Sequence, residues 1–171
     1  MRKPAPRLAE GFRARFRTWE LQAEPYGPEH LPAVLALEDA CFAAPWSEQL
    51  LREEAQPRSH AWNLVVRVDG AVRAFLFNWV VLDEMHLLNF AVDPPLQGRG
   101  IGGFLMDWML AEAARNGYRR VSLEVRASNE SAIALYTSRG FRRVFVRKGY
   151  YTDNDEDALI MVCDLEAPDA R

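Results

Sequence analysis

The stretch from Leu87 to Asn116, LLNFAVDPPLQGRGIGGFLMDWMLAEAARN, leaves this chain few folds to adopt. An apolar strand-like run passes through a proline-marked turn and the loop Gln97-Gly98-Arg99-Gly100-Ile101-Gly102-Gly103 into a helical pattern. From Ile101 the apolar residues fall at 101, 104, 105, 108 and 109, the stripe of an amphipathic helix, and Asn116-Gly117 ends it. The first backbone N–H groups of a helix lack internal partners, and the macrodipole adds positive potential there. Glycines let a ligand come close to that backbone, so the loop predicts a cradle for a pyrophosphate.

Two ligand families use such a cradle. Gly98, Gly100 and Gly103 spell G-x-G-x-x-G, and Glu124 lies about 20 residues onward, as the dinucleotide fingerprint asks. The context argues against that reading. Asp93 to Gln97 intervene between strand and first glycine. The strand bearing Glu124 also alternates, with Val121, Leu123 and Val125 against Ser122, Glu124 and Arg126, whereas a doubly wound sheet carries continuous apolar runs.

Read instead as Gln97-x-x-Gly100-x-Gly102 after AVDPPLQ, the loop resembles the coenzyme A pyrophosphate loop of the GNAT superfamily of N-acyltransferases. Further stretches are similar to its RimI branch, the ribosomal-protein-alanine N-acetyltransferases. These are APWSE (Ala44 to Glu48), VVLDE (Val80 to Glu84), LEVRASN (Leu123 to Asn129), AIALY (Ala132 to Tyr136), Gly140-Phe141, Tyr150-Tyr151 and Glu156 to Ala158. The likeness runs from about Leu21 to Leu165, and LEVRASN…ALY…GF is far more specific than the glycine loop. It implies an α+β fold, a mixed and mostly antiparallel sheet flanked by helices in a single domain.

Composition agrees with one globular domain: 171 residues, 49% of them hydrophobic and 26% charged. Cys41 and Cys163 give neither a disulfide framework nor metal spacing, and His30, His60 and His86 form no ligand pattern, so no metal is expected and a reducing cytoplasm fits. Without an apolar run of about 18 residues or a charged segment leading into one, neither membrane insertion nor secretion is expected. Residues 1 to 20 carry six Lys/Arg against Glu10 and Glu20, although the whole chain is at −3. Residues 1–18 are therefore expected to be a basic flexible extension, 19–166 the acetyltransferase domain and 167–171 a C-terminal tail. A mitochondrial targeting segment or a ribosome-surface contact are other uses of such an extension, although no direct nucleic-acid contact is expected.

Along the chain, strands are expected at Thr18 to Ala23, Trp62 to Val68, Ala71 to Leu82, Met85 to Val92, Arg120 to Arg126, Phe141 to Tyr150 and Ala158 to Leu165. Helices are expected at Pro28 to Phe42, from the N-cap Ser47 to Gln56, at 101 to 116, and from Asn129 to Arg139. Asp69-Gly70 reads as a hairpin turn.

Acetyl transfer needs a held and polarised carbonyl, a neutral amine and a proton for the leaving thiolate. The resemblance implies acetyl-CoA as co-substrate, with the backbone of Phe90, Ala91 and Val92 along the pantetheine arm. It sets the pyrophosphate on Gln97, Gly98, Arg99, Gly100, Ile101, Gly102 and Gly103, with Asn129 as a further contact. Arg99 is equally readable as a solvated loop arginine, and Asn129 as a helix cap. Glu124 sits mid-strand, where a carboxylate wants a partner such as Arg126; the resemblance makes it the general base. Tyr136 reads as a core aromatic or, by resemblance, as the acid that protonates the thiolate.

The acceptor implied is a protein N-terminal α-amine, that of an alanine in a small-subunit ribosomal protein. Other amines (lysine, a polyamine, an aminoglycoside) and a catalytically silent acyl-CoA-binding regulator are the alternatives. The acids Asp83, Glu84, Asp153, Asp155, Glu156 and Asp157 are expected to border the acceptor, with a plain polar turn as the other reading of Thr152 to Asp157. Gly149 stands where the family often has Asn. The oligomeric state is left open.

Overall fold

The computed structural model describes residues 8–165. Its eight strands are β1 (Phe12–Phe16), β2 (Trp19–Pro25), β3 (Ala61–Val68), β4 (Ala71–Val81), β5 (Glu84–Val92), β6 (Arg120–Arg126), β7 (Arg142–Tyr151) and β8 (Glu156–Asp164). They form one sheet in the order β1-β2-β3-β4-β5-β6-β8-β7. Every neighbouring pair is antiparallel except β5 and β6. Four helices flank it: α1 (Leu31–Cys41), α2 (Glu48–Glu54), α3 (Ile101–Arg115) and α4 (Glu130–Thr137). The expected elements are all present within a few residues of their expected ends, and Ser47 caps α2 by accepting from Leu50 N at 3.2 Å.

Both sheet faces are covered, and the core divides accordingly. Leu64, Val66, Ala74, Leu76, Met85, Leu87, Val121 and Leu123 pack against the α3 residues Ile101, Leu105, Met106 and Met109. Val65, Phe75, Phe77 and Ala91, on the opposite face, pack against Val34 and Leu37 of α1 and Leu51 of α2. Alternation along β3 and β4 thus supplies both clusters, since successive side chains leave a strand on opposite faces. Asp69 and Gly70 turn the β3–β4 hairpin with φ of 48° and 88°, the double positive φ of a type I′ turn.

The N-terminal boundary differs from expectation. Residues 12–16, assigned from charge to a flexible extension, are β1 and pair with β2 from Phe12↔Ala23 to Phe16↔Trp19. The reason is alternation beneath the charge. Arg13 and Arg15 face solvent, while Phe12 lies 4.6 Å from Trp108 and Phe16 lies 5.0 Å from Phe104, centroid to centroid. Phe104 and Trp108 belong to the apolar stripe of α3 but are only partly buried, and β1 covers them. Ala9 joins this contact through Trp62 Nε1 and Glu112 Oε1, both at 2.8 Å. The more basic residues 1–7 and the expected tail at 167–171 lie outside the described residues.

The feature that positions the site is where β5 and β6 part. They pair from Glu84↔Arg120 to Leu87↔Leu123 and no further. Beyond that point β5 continues on β4 to Val92, and β6 continues on β8 to Arg126. The edge of β5 from Leu88 onward that would face β6 has no strand partner among the described residues, and the α3 loop lies at the end of that opening.

Candidate active site

Gly100 is the N-cap of α3 with φ of 92°, a left-handed conformation that disfavours other residues, and no side chain among the described residues caps the helix. After Gln97 N, which donates to Pro94 O at 3.2 Å, the next backbone donor to find a partner is Phe104 N, on Gly100 O at 3.0 Å. The preceding N–H groups from Gly98 to Gly103 make no hydrogen bond among the described residues. A β-carbon on Gly98 would meet nothing within 4 Å. One on Gly102 would lie 3.7 Å from Leu135 and Phe90 and 3.8 Å from Val92, so Gly102 forms the floor between β5 and α4. The loop therefore fits a pyrophosphate, with free donors and open space in front of them.

Not every expected loop residue faces that space. Gly103 is buried and lies against the guanidinium of Arg139, which pairs with Asp107 at 3.2 Å. Its missing side chain makes room for an arginine. Gln97 spends its amide on the chain itself: Nε2 donates to Val92 O at 2.8 Å, bracing the loop against the end of β5. Cys41 Sγ donates to the same carbonyl at 3.5 Å, so this acceptor of Val92 is taken. Arg99 is exposed without a carboxylate partner among the described residues.

Glu124 lies just past the last β5–β6 pair, with its side chain 35% exposed. Its partner is Arg147 of β7, at 3.4 Å, rather than the expected Arg126. Arg126 is held by Asp153 at 3.0 Å and Glu156 at 3.3 Å, and stacks over the Tyr151 ring at 3.9 Å. A hydrogen bond to Glu124, with burial second, raises the Tyr150 phenol above its ordinary range. Arg147, whose guanidinium lies 5.2 Å from the Tyr150 ring, opposes that shift. The sequence held no signal for Arg147, because its approach to Glu124 passes across β8.

Tyr136 on α4 is 7% exposed and packs 5.7 Å from Phe141. Burial, with a smaller push from Tyr151, raises its pKa to about 12, which keeps the hydroxyl protonated. Tyr151 in turn feels Glu124. The fold thus gathers Tyr136, Tyr150, Tyr151 and Glu124 into one electrostatic neighbourhood at the opening. Asn129 caps α4, its Oδ1 accepting from Ala132 N at 3.2 Å.

Most of the acids expected to border an acceptor already have partners. Asp83 pairs with Arg119, Glu84 with Arg120, and Asp157 with Lys148. Glu156 accepts from Ser128 N at 2.7 Å, and hydrogen bonds led by Ser128 pull its pKa down to about 2. Asp155, with φ of 56°, has no ion-pair partner among the described residues.

Residues 31–141 match the acetyltransferase (GNAT) family. The chain belongs to that family. It is 42% identical over 133 residues to the [ribosomal protein bS18]-alanine N-acetyltransferase of Escherichia coli K12, covering 77% of this chain and 88% of that one. It is 34% identical over 132 residues to the enzyme of the same name from Haemophilus influenzae, covering 75% and 88%. The crystal structure of the ribosomal-protein-S18-alanine N-acetyltransferase from E. coli superposes with a TM-score of 0.79 at 36% identity, over 88% of this chain and 98% of that one. Ard1 from Thermoplasma volcanium, at 24% identity and a TM-score of 0.76, shares the fold. As a GNAT enzyme the protein is an acyltransferase that uses acetyl-CoA. The donors and space at the α3 loop suit that co-substrate.

Proposed function

We propose that this acetyltransferase modifies the N-terminal α-amine of an alanine, that of ribosomal protein bS18, by direct transfer from acetyl-CoA. The observation that carries the reading is the opening between β5 and β6, with unpaired N–H groups of the α3 loop at one end and Glu124 at the point of parting. The loop amides receive the pyrophosphate, the free edge of β5 at Phe90 and Ala91 runs beside the pantetheine arm, and a β5 N–H polarises the thioester carbonyl. Glu124 accepts the proton of the attacking amine, directly or through a water. The buried Tyr136 hydroxyl, protonated throughout the neutral range, donates to the leaving thiolate. Asn129 adds its amide to the cofactor contacts while capping α4.

The chemistry of the amine supports an α-amine over lysine. Only the neutral amine attacks, and at pH 7 roughly 14% of an α-amine but only about 0.04% of a lysine is neutral. One carboxylate is enough for the first. The E. coli and H. influenzae relatives carry the name of bS18-alanine acetyltransferases, which supports the same acceptor. Such an acceptor places the reaction in the cytoplasm. Among the described residues no helix is long and apolar enough to cross a membrane.

The test is intact mass spectrometry of a bS18 N-terminal peptide incubated with enzyme and acetyl-CoA. A single acetyl group on the α-amine is expected. Equal modification of an N-terminally blocked peptide that keeps its lysines would overturn the acceptor.

A further inference from the structure

The basic segment at the N-terminus has no part in the chemistry above, yet the structure brings one of its arginines to the α3 loop. Arg17 occupies the β1–β2 turn with φ of 54°. Its Nη2 lies 3.4 Å and its Cζ 3.6 Å from where a β-carbon on Gly100 would stand, and Phe16 Cζ lies at 3.2 Å. The N-cap of α3 is thus roofed by the turn. The guanidinium is held 5.4 Å from the centre of the Phe16 ring, and Phe16 is itself fixed on Phe104 of α3 and stacked at 6.5 Å on Trp19. Packing of β1 on α3 therefore sets where this charge goes.

Electrostatics makes the placement informative. A helix N-terminus carries roughly half a positive charge, so a cation beside it is repelled unless an anion lies between them. No carboxylate of the described residues relieves that repulsion. The acids on either side of the loop, Asp93 and Asp107, are occupied by Arg73 and Arg139. Arg17 is left beside the N-terminus of α3 with no carboxylate partner among the described residues. A guanidinium offers paired donors to a phosphate, and coenzyme A carries a pyrophosphate and a 3′-phosphate.

We infer that Arg17 is a cofactor-binding residue, supplied by the N-terminal hairpin, whose guanidinium contacts a phosphate of coenzyme A above Gly100. The inference rests on the placement of the cofactor on the α3 loop. The β1–β2 hairpin then has two roles, covering Phe104 and Trp108 and, in doing so, carrying one wall of the phosphate site. Neither the glycine spacing nor the helical stripe of the loop could announce a wall contributed from some 80 residues upstream.

The experiment is titration calorimetry of the full chain with coenzyme A and with 3′-dephospho-coenzyme A, using wild type, Arg17→Asn and Arg17→Lys. Asn tolerates a left-handed backbone, so Arg17→Asn removes the charge while suiting the turn, and its melting temperature should match wild type. Coenzyme A is expected to bind Arg17→Asn about tenfold more weakly, with Arg17→Lys recovering part of the loss. If the contact is to the 3′-phosphate, wild type and Arg17→Asn bind the dephospho form alike. If it is to the pyrophosphate, the loss persists with both ligands. Equal affinity of wild type and Arg17→Asn for coenzyme A overturns the inference. Normal binding by Gly102→Val would instead overturn the loop placement on which it rests, so the two failures are separable. Should Arg17→Asn melt early, the comparison of Arg17→Lys with Arg17→Gln at matched stability decides, and equal affinities there overturn the inference as well.

Discussion

The Glu124 carboxylate on β6 sits 3.4 Å from the guanidinium of Arg147, which reaches across β8 from the edge strand β7. Both side chains are well exposed, at 35% and 49%, so the pair contributes only about 0 to 1 kcal/mol to stability. A contact that weak leaves the carboxylate free to exchange partners.

Glu124→Gln is expected to lower kcat on the order of 10²-fold or more with acetyl-CoA affinity unchanged. Arg147→Met, which removes only the weak partner, should leave kcat within about threefold. Steady-state kinetics on an N-terminal peptide measures both. Similar losses in the two variants would mean that the ion pair, and not the base, is what the first substitution destroys.

Tyr136→Phe keeps the ring against Phe141 and removes the hydroxyl proposed as proton donor, so turnover is expected to fall on the order of 10²-fold while the fold is retained. Burial also raises Tyr136 and Tyr26 to about 12. A phenol whose pKa is higher folded than unfolded contributes its full stability below the unfolded value, about 10, and loses it as pH rises through the folded value. Urea unfolding should therefore show stability declining between about pH 10 and 12, by about 2 to 3 kcal/mol for each tyrosine. Tyr136→Phe should decline less steeply, and a slope equal to wild type would contradict the burial of that hydroxyl.

The loop glycines should separate. A β-carbon at Gly102 meets its neighbours at ordinary contact distance, so Gly102→Ala should fold normally, whereas the branches of Gly102→Val intrude on the cradle and should abolish acetyl-CoA binding. Gly100 has φ of 92° and Phe16 at 3.2 Å from its β-position, so Gly100→Val strains the backbone and should lower the melting temperature as well. Calorimetry with acetyl-CoA and a thermal melt of each variant tell the two effects apart.

Recognition of a basic peptide by the loop between β7 and β8 is expected to rest on Asp155. Asp153, Glu156 and Asp157 are committed to Arg126, Ser128 and Lys148, so neutralising them should loosen the hairpin. Asp155→Asn should instead raise the peptide KM at low salt and leave stability unchanged, an effect that fades as salt rises. A KM that does not move at any salt concentration would remove this loop from acceptor recognition.

Phe12→Ala should lower the melting temperature, because the ring lies against Trp108 and Phe104. The cost should be about 1 to 3 kcal/mol, less than for a fully buried phenylalanine. An unchanged melting curve would mean that the segment is the loose extension its charge suggests.

Local pattern alone determined much of this protein. The i, i+3, i+4 stripe from Ile101, the Asp69-Gly70 turn, the Ser47 and Asn129 caps and the alternation of Arg120 to Arg126 each depend on neighbours within a few residues, and such signals survive in one dimension. The motif LEVRASN…ALY…GF carried the family. Tertiary structure decided what depends on strands meeting out of sequence order. Arg147 reaches Glu124 only because β8 lies between β6 and β7. Arg126 turns to Asp153 and Glu156 because the β7–β8 hairpin folds back over the end of β6. Gly103 answers to Arg139, and Gly100 to Phe16 and Arg17, across contacts between elements far apart in the chain. Charge made residues 12–16 look like a solvated tail, but a strand forms wherever its alternate face finds apolar surface to cover. Only the assembled sheet shows that α3 leaves Phe104 and Trp108 for β1 to bury.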